Sequence, residues 1–155
     1  EIDIMEAVNL GMTCEKCDGG REDRVHGTLH FGNPWPNNNQ ATNETHLEGD
    51  VTGFHDYAVE WYPDRFNWYV DGKLFSTIKK DEWFSEGAPA GNTQAPFDKP
   101  FYIILNLAAG GKWPEESNDV GYFSMDYPKS VEVDFVRVYQ CSKIASGGEC
   151  SMQVD

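Results

Sequence analysis

Residues 65–78 carry the stretch that decides the fold, and it reads RFNWYVDGKLFSTI. On both sides of Asp71-Gly72 the side chains alternate between apolar and polar, which is the period of a β-strand with one buried face. Asp-Gly between two such runs favours a two-residue turn, because both residues tolerate the left-handed backbone that the turn requires. The stretch therefore predicts a β-hairpin.

Similar runs recur outward from this hairpin, and turn-forming residues separate them. Further strands are predicted at 1–6, 25–31, 57–61, 101–107 and 131–139. The stretches 33–53 and 80–99 are rich in turn-forming residues, so we expect both to be surface loops, the second with one short helical turn at 81–84. About seven strands at this spacing, without a convincing amphipathic helix, indicate an all-β antiparallel sandwich.

Length, composition and charge restrict the class of protein. The chain has 155 residues, of which 39% are hydrophobic and 14% aromatic, as expected for one globular domain. Its formal charge of −14 argues against nucleic acid or an anionic membrane as a partner. No apolar run approaches the ~18 residues that a membrane-spanning helix needs.

The four cysteines fall in two pairs, Cys14 with Cys17 and Cys141 with Cys150. The spacing of the second pair is wider than zinc ribbons favour, so a zinc clip is the weaker alternative. An even count in an acidic chain predicts disulfides, either within or between the pairs, and a secreted protein. A glycosylation sequon at Asn43 is consistent with secretion.

Residues 1–6, which read EIDIME, place three carboxylates on one short segment, whose three apolar residues are all expected to pack on a core. Glu1 and Asp3 share a face of the predicted strand, whereas Glu6 has the opposite parity unless a β-bulge separates it from Asp3. Three like charges on one face raise at least one pKa, which yields a proton donor beside an ionised nucleophile. Glycoside hydrolysis uses such a pair, although a charged, protected edge strand would show the same pattern.

The hexapeptide resembles the ExDxxE signature of glycoside hydrolase family 16, and further motifs similar to that family follow in family order. These are HGTLHFG at 26–32 with PWP at 34–36, YAVEW at 57–61, WYVDG at 68–72, FYIILNLAAGGKWP at 101–114 and VDFVRVYQ at 133–140. The six-residue form of the signature resembles the β-1,3-glucanases and agarases, whereas the five-residue form is found in lichenases. The resemblance covers residues 1–140.

This resemblance implies a concave β-jelly-roll and endo-acting hydrolysis with retention of the anomeric configuration. Glu1 would be the nucleophile, Asp3 its electrostatic helper and Glu6 the general acid/base. The expected substrate is β-1,3-glucan of the laminarin type, and no cofactor is required. Mixed-linkage glucan and agarose are alternative substrates, and a non-catalytic β-glucan recognition module of the same fold is an alternative function.

Four further residues are implied as substrate-binding: His26, His30, Asn106 and Trp113. The two histidines alternate with Thr28 onto one side of the strand, the face expected to line the groove. Asn106 interrupts an apolar strand, where its amide would contact sugar hydroxyls or, alternatively, bond to backbone. Trp113 would stack on a sugar ring, whereas two other tryptophans, Trp61 and Trp68, are expected in the core.

The resemblance also implies a domain arrangement and a metal. Residues 1–140 would form the C-terminal part of the catalytic jelly roll, and residues 141–155 a tail that a disulfide could staple. Because the family domain has strands ahead of the residue numbered 1, we expect an incomplete sandwich whose missing strands come from another chain or segment. Asp134 corresponds to a calcium ligand in many relatives, but calcium needs ~6–8 oxygens.

Overall fold

The computed structural model describes residues 1–118 and 129–140, which belong to two compact units, Glu1–Met125 and Asp126–Asp155. The regular structure of the described residues lies in the first unit. Its strands are β1 (Ile2–Glu6), β2 (Arg24–Gly32), β3 (Asn38–His46), β4 (Tyr57–Trp61), β5 (Arg65–Val70) and β6 (Lys73–Lys79). A 3₁₀ turn at Asp18–Gly20 and one short helix, α1 (Lys112–Asn118), complete it.

The six strands form two antiparallel sheets, ordered β1-β2-β3 and β4-β5-β6. The predicted hairpin is confirmed as β5 and β6, and both turn residues, Asp71 and Gly72, have positive φ. Apolar side chains of both sheets and of the 80–99 loop share one core, which includes Leu29, Phe31, Phe66, Trp68, Ile78, Trp83 and Phe97. The all-β antiparallel prediction is therefore confirmed.

Strand β3 was not predicted, because residues 33–53 contain the polar, turn-forming side chains of a loop. In the structure Asn38–His46 pairs with β2 over nine consecutive residue pairs. Only Ala41 of this strand packs against the main core as a partly buried hydrophobic residue. Backbone pairing with β2 thus forms a strand that the hydrophobic pattern does not indicate.

Two predicted strands are wrong in the structure, and a helix was missed. Neither 101–107 nor 131–139 has ladder pairing with another described strand, and both segments are exposed. An apolar run predicts a strand only where a partner strand accepts its backbone hydrogen bonds. Helix α1 begins directly after Gly110-Gly111 and has Pro114 in its first turn, where proline is tolerated. Residues 81–84 do not form the helical turn expected: Asp81 ends a turn, and Trp83 and Phe84 have no regular secondary structure.

Within the described residues, a disulfide joins Cys14 to Cys17. This confirms a disulfide for the first cysteine pair and contradicts its use in a zinc clip. Cys141, Cys150 and the tail 141–155 lie outside the described residues, so their pairing stays a prediction. In the described ranges, no helix has the length and hydropathy to cross a membrane.

Candidate active site

A β-bulge in β1 determines where the three acidic side chains lie. Asp3 is opposite Thr28 of β2 and Glu6 is opposite His26, so two residues of β1 oppose a single residue of β2. The bulge predicted between Asp3 and Glu6 is therefore confirmed. Because one residue is added, Glu6 returns to the face of the sheet that carries Asp3.

The apolar residues of β1 differ in burial more than expected. Ile2 packs against the core, but Ile4 and Met5, which form the bulge, are 41% and 36% exposed. The prediction that all three pack on a core is thus wrong for two of them, because the bulge takes them out of the regular alternation.

Nine polar residues share one surface of the first sheet, which we call the polar face. Its members are Glu1, Asp3 and Glu6 of the first segment, His26, Thr28 and His30 of β2, and Gln40, Thr42 and Glu44 of β3. The pairing places them in three rows across the sheet, with β2 in the middle. Glu1 is held in its row because its carbonyl accepts a backbone hydrogen bond from the amide of His30 at 3.0 Å.

Asp3 lies between the two glutamates and differs from both in its electrostatics. Partial burial raises the pKa of Asp3 to about 7, and the nearby charges of Glu6 and Glu1 add to this effect. A hydrogen bond with the Glu1 side chain also favours the protonated form of Asp3. Near neutral pH, Asp3 can therefore donate a proton in a hydrogen bond to the Glu1 carboxylate.

His30 is held beside this pair of acids. Its Nδ1 lies 3.3 Å from the side-chain amide nitrogen of Asn38, and its Nε2 lies 3.3 Å from Oδ2 of Asp3. The second contact has the distance of an ion pair without the geometry of a hydrogen bond. If Asn38 donates to Nδ1, the imidazole proton resides on Nε2 and faces Asp3. One ligand atom from each of Glu1, Asp3 and His30 lies within 4.8 Å of the other two.

Glu6 is held by the hydroxyl group of Thr28, which in turn contacts a second hydroxyl group. The hydroxyl of Thr28 donates a hydrogen bond of 2.9 Å to Oε2 of Glu6. The same hydroxyl lies 2.9 Å from the hydroxyl of Thr42 on β3. Each of the three acids thus has its own environment, although all lie on one short segment.

The other two predicted substrate-binding residues near this face are His26 and Trp113, which contact each other. Their ring centroids are 5.2 Å apart in an edge-on arrangement. The side-chain amide of Asn9 donates to the carbonyl of Pro114 at 2.6 Å, which anchors the first turn of α1 here. Trp113 remains 43% exposed, so its ring is available beside the polar face.

The last two predicted site residues, Asn106 and Asp134, are both exposed. Asn106 is exposed on a segment without strand structure, so the expectation of a polar side chain inside a buried strand is wrong. Asp134 is exposed within 129–140, and the side-chain groups able to hold a metal in the described ranges do not include it. Those groups comprise side-chain ligands alone, so calcium at Asp134 stays a prediction.

The core tryptophans follow the prediction in part. Trp68 is completely buried, as expected, and its Nε1 donates a hydrogen bond of 3.0 Å to the backbone carbonyl of Asp3. Trp61 is 44% exposed and packs on the core from outside, with its ring 5.7 Å from that of Phe66.

Sequence reasoning missed the β3 residues near the acids and the role of Thr28. Strand alternation correctly placed Thr28 on the face of His26 and His30, but its hydrogen bond to Glu6 was not predicted. Asn38, Thr42 and the rest of β3 were assigned to a loop, and no local signal in that polar stretch relates them to the acidic segment.

Comparison with known proteins assigns the chain to a family. The family model for glycosyl hydrolases family 16 matches residues 1–129, and the chain belongs to this family. It is 40% identical over 143 residues to a glucan endo-1,3-beta-glucosidase A1 of Niallia circulans, a match that covers 90% of this chain and 19% of that protein. It is 34% identical to a beta-glucanase of Rhodothermus marinus, with 90% of this chain and 44% of that protein covered.

A third relative is named as a binding protein. The chain is 35% identical over 129 residues to a beta-1,3-glucan-binding protein of Penaeus monodon, and the match covers 72% of this chain and 33% of that protein. The chain thus spans less than half the length of each of these three relatives.

Proposed function

We propose that this protein is a retaining endo-β-1,3-glucanase that acts on laminarin-type glucan. The observation that carries the proposal is the arrangement of three carboxylates on one polar face, with Asp3 at a pKa of about 7 between Glu1 and Glu6. A protonated Asp3 can donate a hydrogen bond to Glu1 and leave it anionic for attack, while Glu6 on the same face serves as proton donor. Two carboxyl groups with the roles of Glu1 and Glu6 are what retaining cleavage of a glycosidic bond requires.

In the proposed mechanism Glu6 donates its proton to the glycosidic oxygen while the Glu1 carboxylate attacks the anomeric carbon. The leaving sugar departs as an alcohol, and a glycosyl ester on Glu1 remains. Glu6 then removes a proton from water, which displaces Glu1 and restores both groups. Asp3 keeps its proton and donates a hydrogen bond to Glu1, which leaves the nucleophile anionic. The same hydrogen bond stabilises the negative charge that returns to Glu1 as the ester breaks.

The substrate assignment draws on the relatives and on charge. The Niallia circulans relative is named a glucan endo-1,3-beta-glucosidase, and the six-residue acidic motif resembles that branch of the family. A formal charge of −14 favours a neutral glycan over an acidic one. We assign sugar contacts to His26, His30 and Trp113, which lie on or beside the polar face. The Cys14–Cys17 disulfide supports our further proposal that the protein is secreted.

A glucan-recognition module is the second candidate, and the relative named beta-1,3-glucan-binding protein supports it. Such a module would bind the polysaccharide without turnover. The presence of both Glu1 and Glu6 favours hydrolysis, because a purely binding protein has no need for the charge repulsion that crowded acids introduce.

The proposal is tested by incubating the protein with laminarin, lichenan and agarose and measuring new reducing ends. We expect release from laminarin, and we expect Glu1→Gln and Glu6→Gln each to lower it by about 10³-fold or more, since each removes a group that acts in the transition state. Glu48→Gln is the matched control, because Glu48 is an exposed glutamate paired with Lys73 away from the polar face.

Other outcomes would redirect the assignment. Binding of laminarin without reducing ends would favour the recognition module, and preferential release from lichenan or agarose would change the substrate. Proton NMR of the first products should show the β-anomer, and an α-anomer would exclude the double displacement.

A further inference from the structure

A buried hydroxyl group supports the residue proposed as the acid/base. Thr28 is 3% exposed, and its hydroxyl lies 2.9 Å from Oε2 of Glu6. We infer that Thr28 is a positioning residue that orients the Glu6 carboxyl group for proton transfer, with Thr42 as the second link. This inference rests on the proposed function, because it assigns Thr28 a role through Glu6.

The directions of the hydrogen bonds follow from counting protons. An ionised carboxylate can only accept, whereas a threonine hydroxyl has one proton to donate and lone pairs with which to accept. The proton of Thr28 therefore goes to Glu6, and in the 2.9 Å contact between the two threonines Thr42 must be the donor. The series of hydrogen bonds runs from Thr42 through Thr28 to Glu6 and crosses all three strands of the sheet.

This series of hydrogen bonds occupies one carboxylate oxygen of Glu6 and leaves the other free for proton transfer. With Oε2 of Glu6 bonded to Thr28, the proton needed by the leaving group is carried on Oε1. The bond persists in both protonation states, since the carbonyl oxygen of a neutral carboxyl group also accepts. The same contact can therefore hold Glu6 while it acts first as an acid and then as a base.

Thr28 is suited to hold a long and flexible side chain. Glutamate has several rotatable bonds, and fixing them without a partner costs conformational entropy. Threonine is branched at Cβ and restricted in χ1, and Thr28 is buried in β2, the central strand of its sheet. Because Glu6 ends β1 directly after the bulge, a rigid anchor on the neighbouring strand determines its orientation.

The inference is tested by comparing Thr28→Val with Thr28→Ser on two substrates. The first is laminarin, whose leaving group is a sugar alcohol that needs protonation. The second is a 2,4-dinitrophenyl β-glycoside of laminaribiose, whose leaving group departs without a proton. For Thr28→Val we expect kcat/KM on laminarin to fall by about 10- to 100-fold, because a small misplacement of a catalytic group costs that much, whereas the aryl glycoside loses no more than about threefold.

The remaining variants separate orientation from stability. Thr28→Ser keeps the hydroxyl and should stay within about threefold of the wild type on both substrates. Thr77→Val is the matched control, because it removes a threonine hydroxyl that donates to Asn67 at 2.9 Å in the other sheet. It should leave the ratio of the two activities unchanged. If Thr28→Val does not fold, Thr42→Val probes the second link, with a smaller loss of about threefold to tenfold confined to laminarin.

The failure of the inference differs from the failure of the proposed function. A wild-type protein that cleaves neither substrate overturns the proposed function and the inference with it. If the wild type cleaves both, equal losses on the two substrates, or full laminarin activity in Thr28→Val, overturn the inference alone.

Discussion

Asp3 is the residue at which the three acids become chemically different. It is the middle acid of the segment, it has a partly buried carboxyl group, and both glutamates act on it electrostatically. Its Oδ2 also lies 3.3 Å from His30 Nε2, so any change at Asp3 affects the histidine as well. One carboxyl group therefore links the proposed nucleophile to the adjacent strand.

The raised pKa of Asp3 makes the stability of the protein depend on pH. A carboxyl group with a pKa of about 7 in the folded state and 3.8 as its ordinary value stabilises the fold fully below about pH 4, and this contribution is lost as pH rises through 7. The difference between these two pKa values corresponds to at most about 4 kcal/mol. Asp3→Asn should remove this dependence. The Tm of the variant should therefore rise relative to that of the wild type as the pH is raised from 4 to 8.

The measurement is thermal unfolding of both proteins across that range. Asp81→Asn, which changes an exposed carboxylate in the 80–99 loop, is the control and should leave the pH dependence of the wild type intact. Parallel Tm curves for wild type and Asp3→Asn would contradict the assignment.

Strand parity predicted the positions of many individual residues of the site. Glu1, Asp3 and the two histidines of β2 lie on the expected face, because alternation is a local property of any strand. The 3.3 Å approach of Asp3 to His30 was not predictable, since it depends on which residues β1 and β2 place side by side.

The bulge in β1 is the element on which the position of Glu6 depends. It inserts one residue between Asp3 and Glu6, and side chains alternate on either side of it. Deletion of Met5 should remove the bulge and leave two residue steps between Asp3 and Glu6. Both acids would then still share a face, and we expect activity on laminarin to fall by about 100-fold or less.

Deletion of both Ile4 and Met5 provides the opposite case. Glu6 would follow Asp3 directly and point to the other face, so activity should fall to background, which reducing-end assays would detect. Equal activity of the single and double deletions would show that the parity argument is wrong. Circular dichroism on both variants establishes that the strands have formed.

The strands differ in how much of them the sequence could indicate. β5 and β6 were predicted because their apolar alternation and the Asp71-Gly72 turn are local signals. β3 was not predicted, because its side chains are polar and its pairing with β2 is a contact between separate segments. For 101–107 the error was the reverse, since an apolar run indicated a strand without a partner in the described residues.

Within the first unit, a single indole connects the two sheets at the bulge. Trp68 of β5 donates its Nε1 hydrogen to the carbonyl of Asp3, and it packs against Gly27 of β2. A Cβ at Gly27 would lie 2.5 Å from Cδ1 of Trp68. Because the ring is completely buried and has no room to yield, the absence of a side chain at Gly27 lets the sheets approach.

Gly27→Ala should therefore destabilise the protein by about 1–3 kcal/mol, as overpacking of a core does. It should also lower activity, since displacement of Trp68 disturbs the carbonyl of Asp3. Thermal and urea unfolding measure the first effect. In a double-mutant cycle, Trp68→Phe should reduce the cost of Gly27→Ala, and additive effects would contradict a direct clash.

The amino-acid sequence alone determined the class of fold, the hairpin at 65–78, the face that carries the acids and the need for a bulge before Glu6. These properties follow from periodicity and turn chemistry, which act between neighbours in the chain. Only the tertiary structure decided that β3 is a strand, that Thr28 holds Glu6, and that Trp68 braces the bulge from the other sheet. Each of these joins residues distant in sequence, and the physical reason is that packing and hydrogen bonding between strands depend on register, which no local pattern encodes.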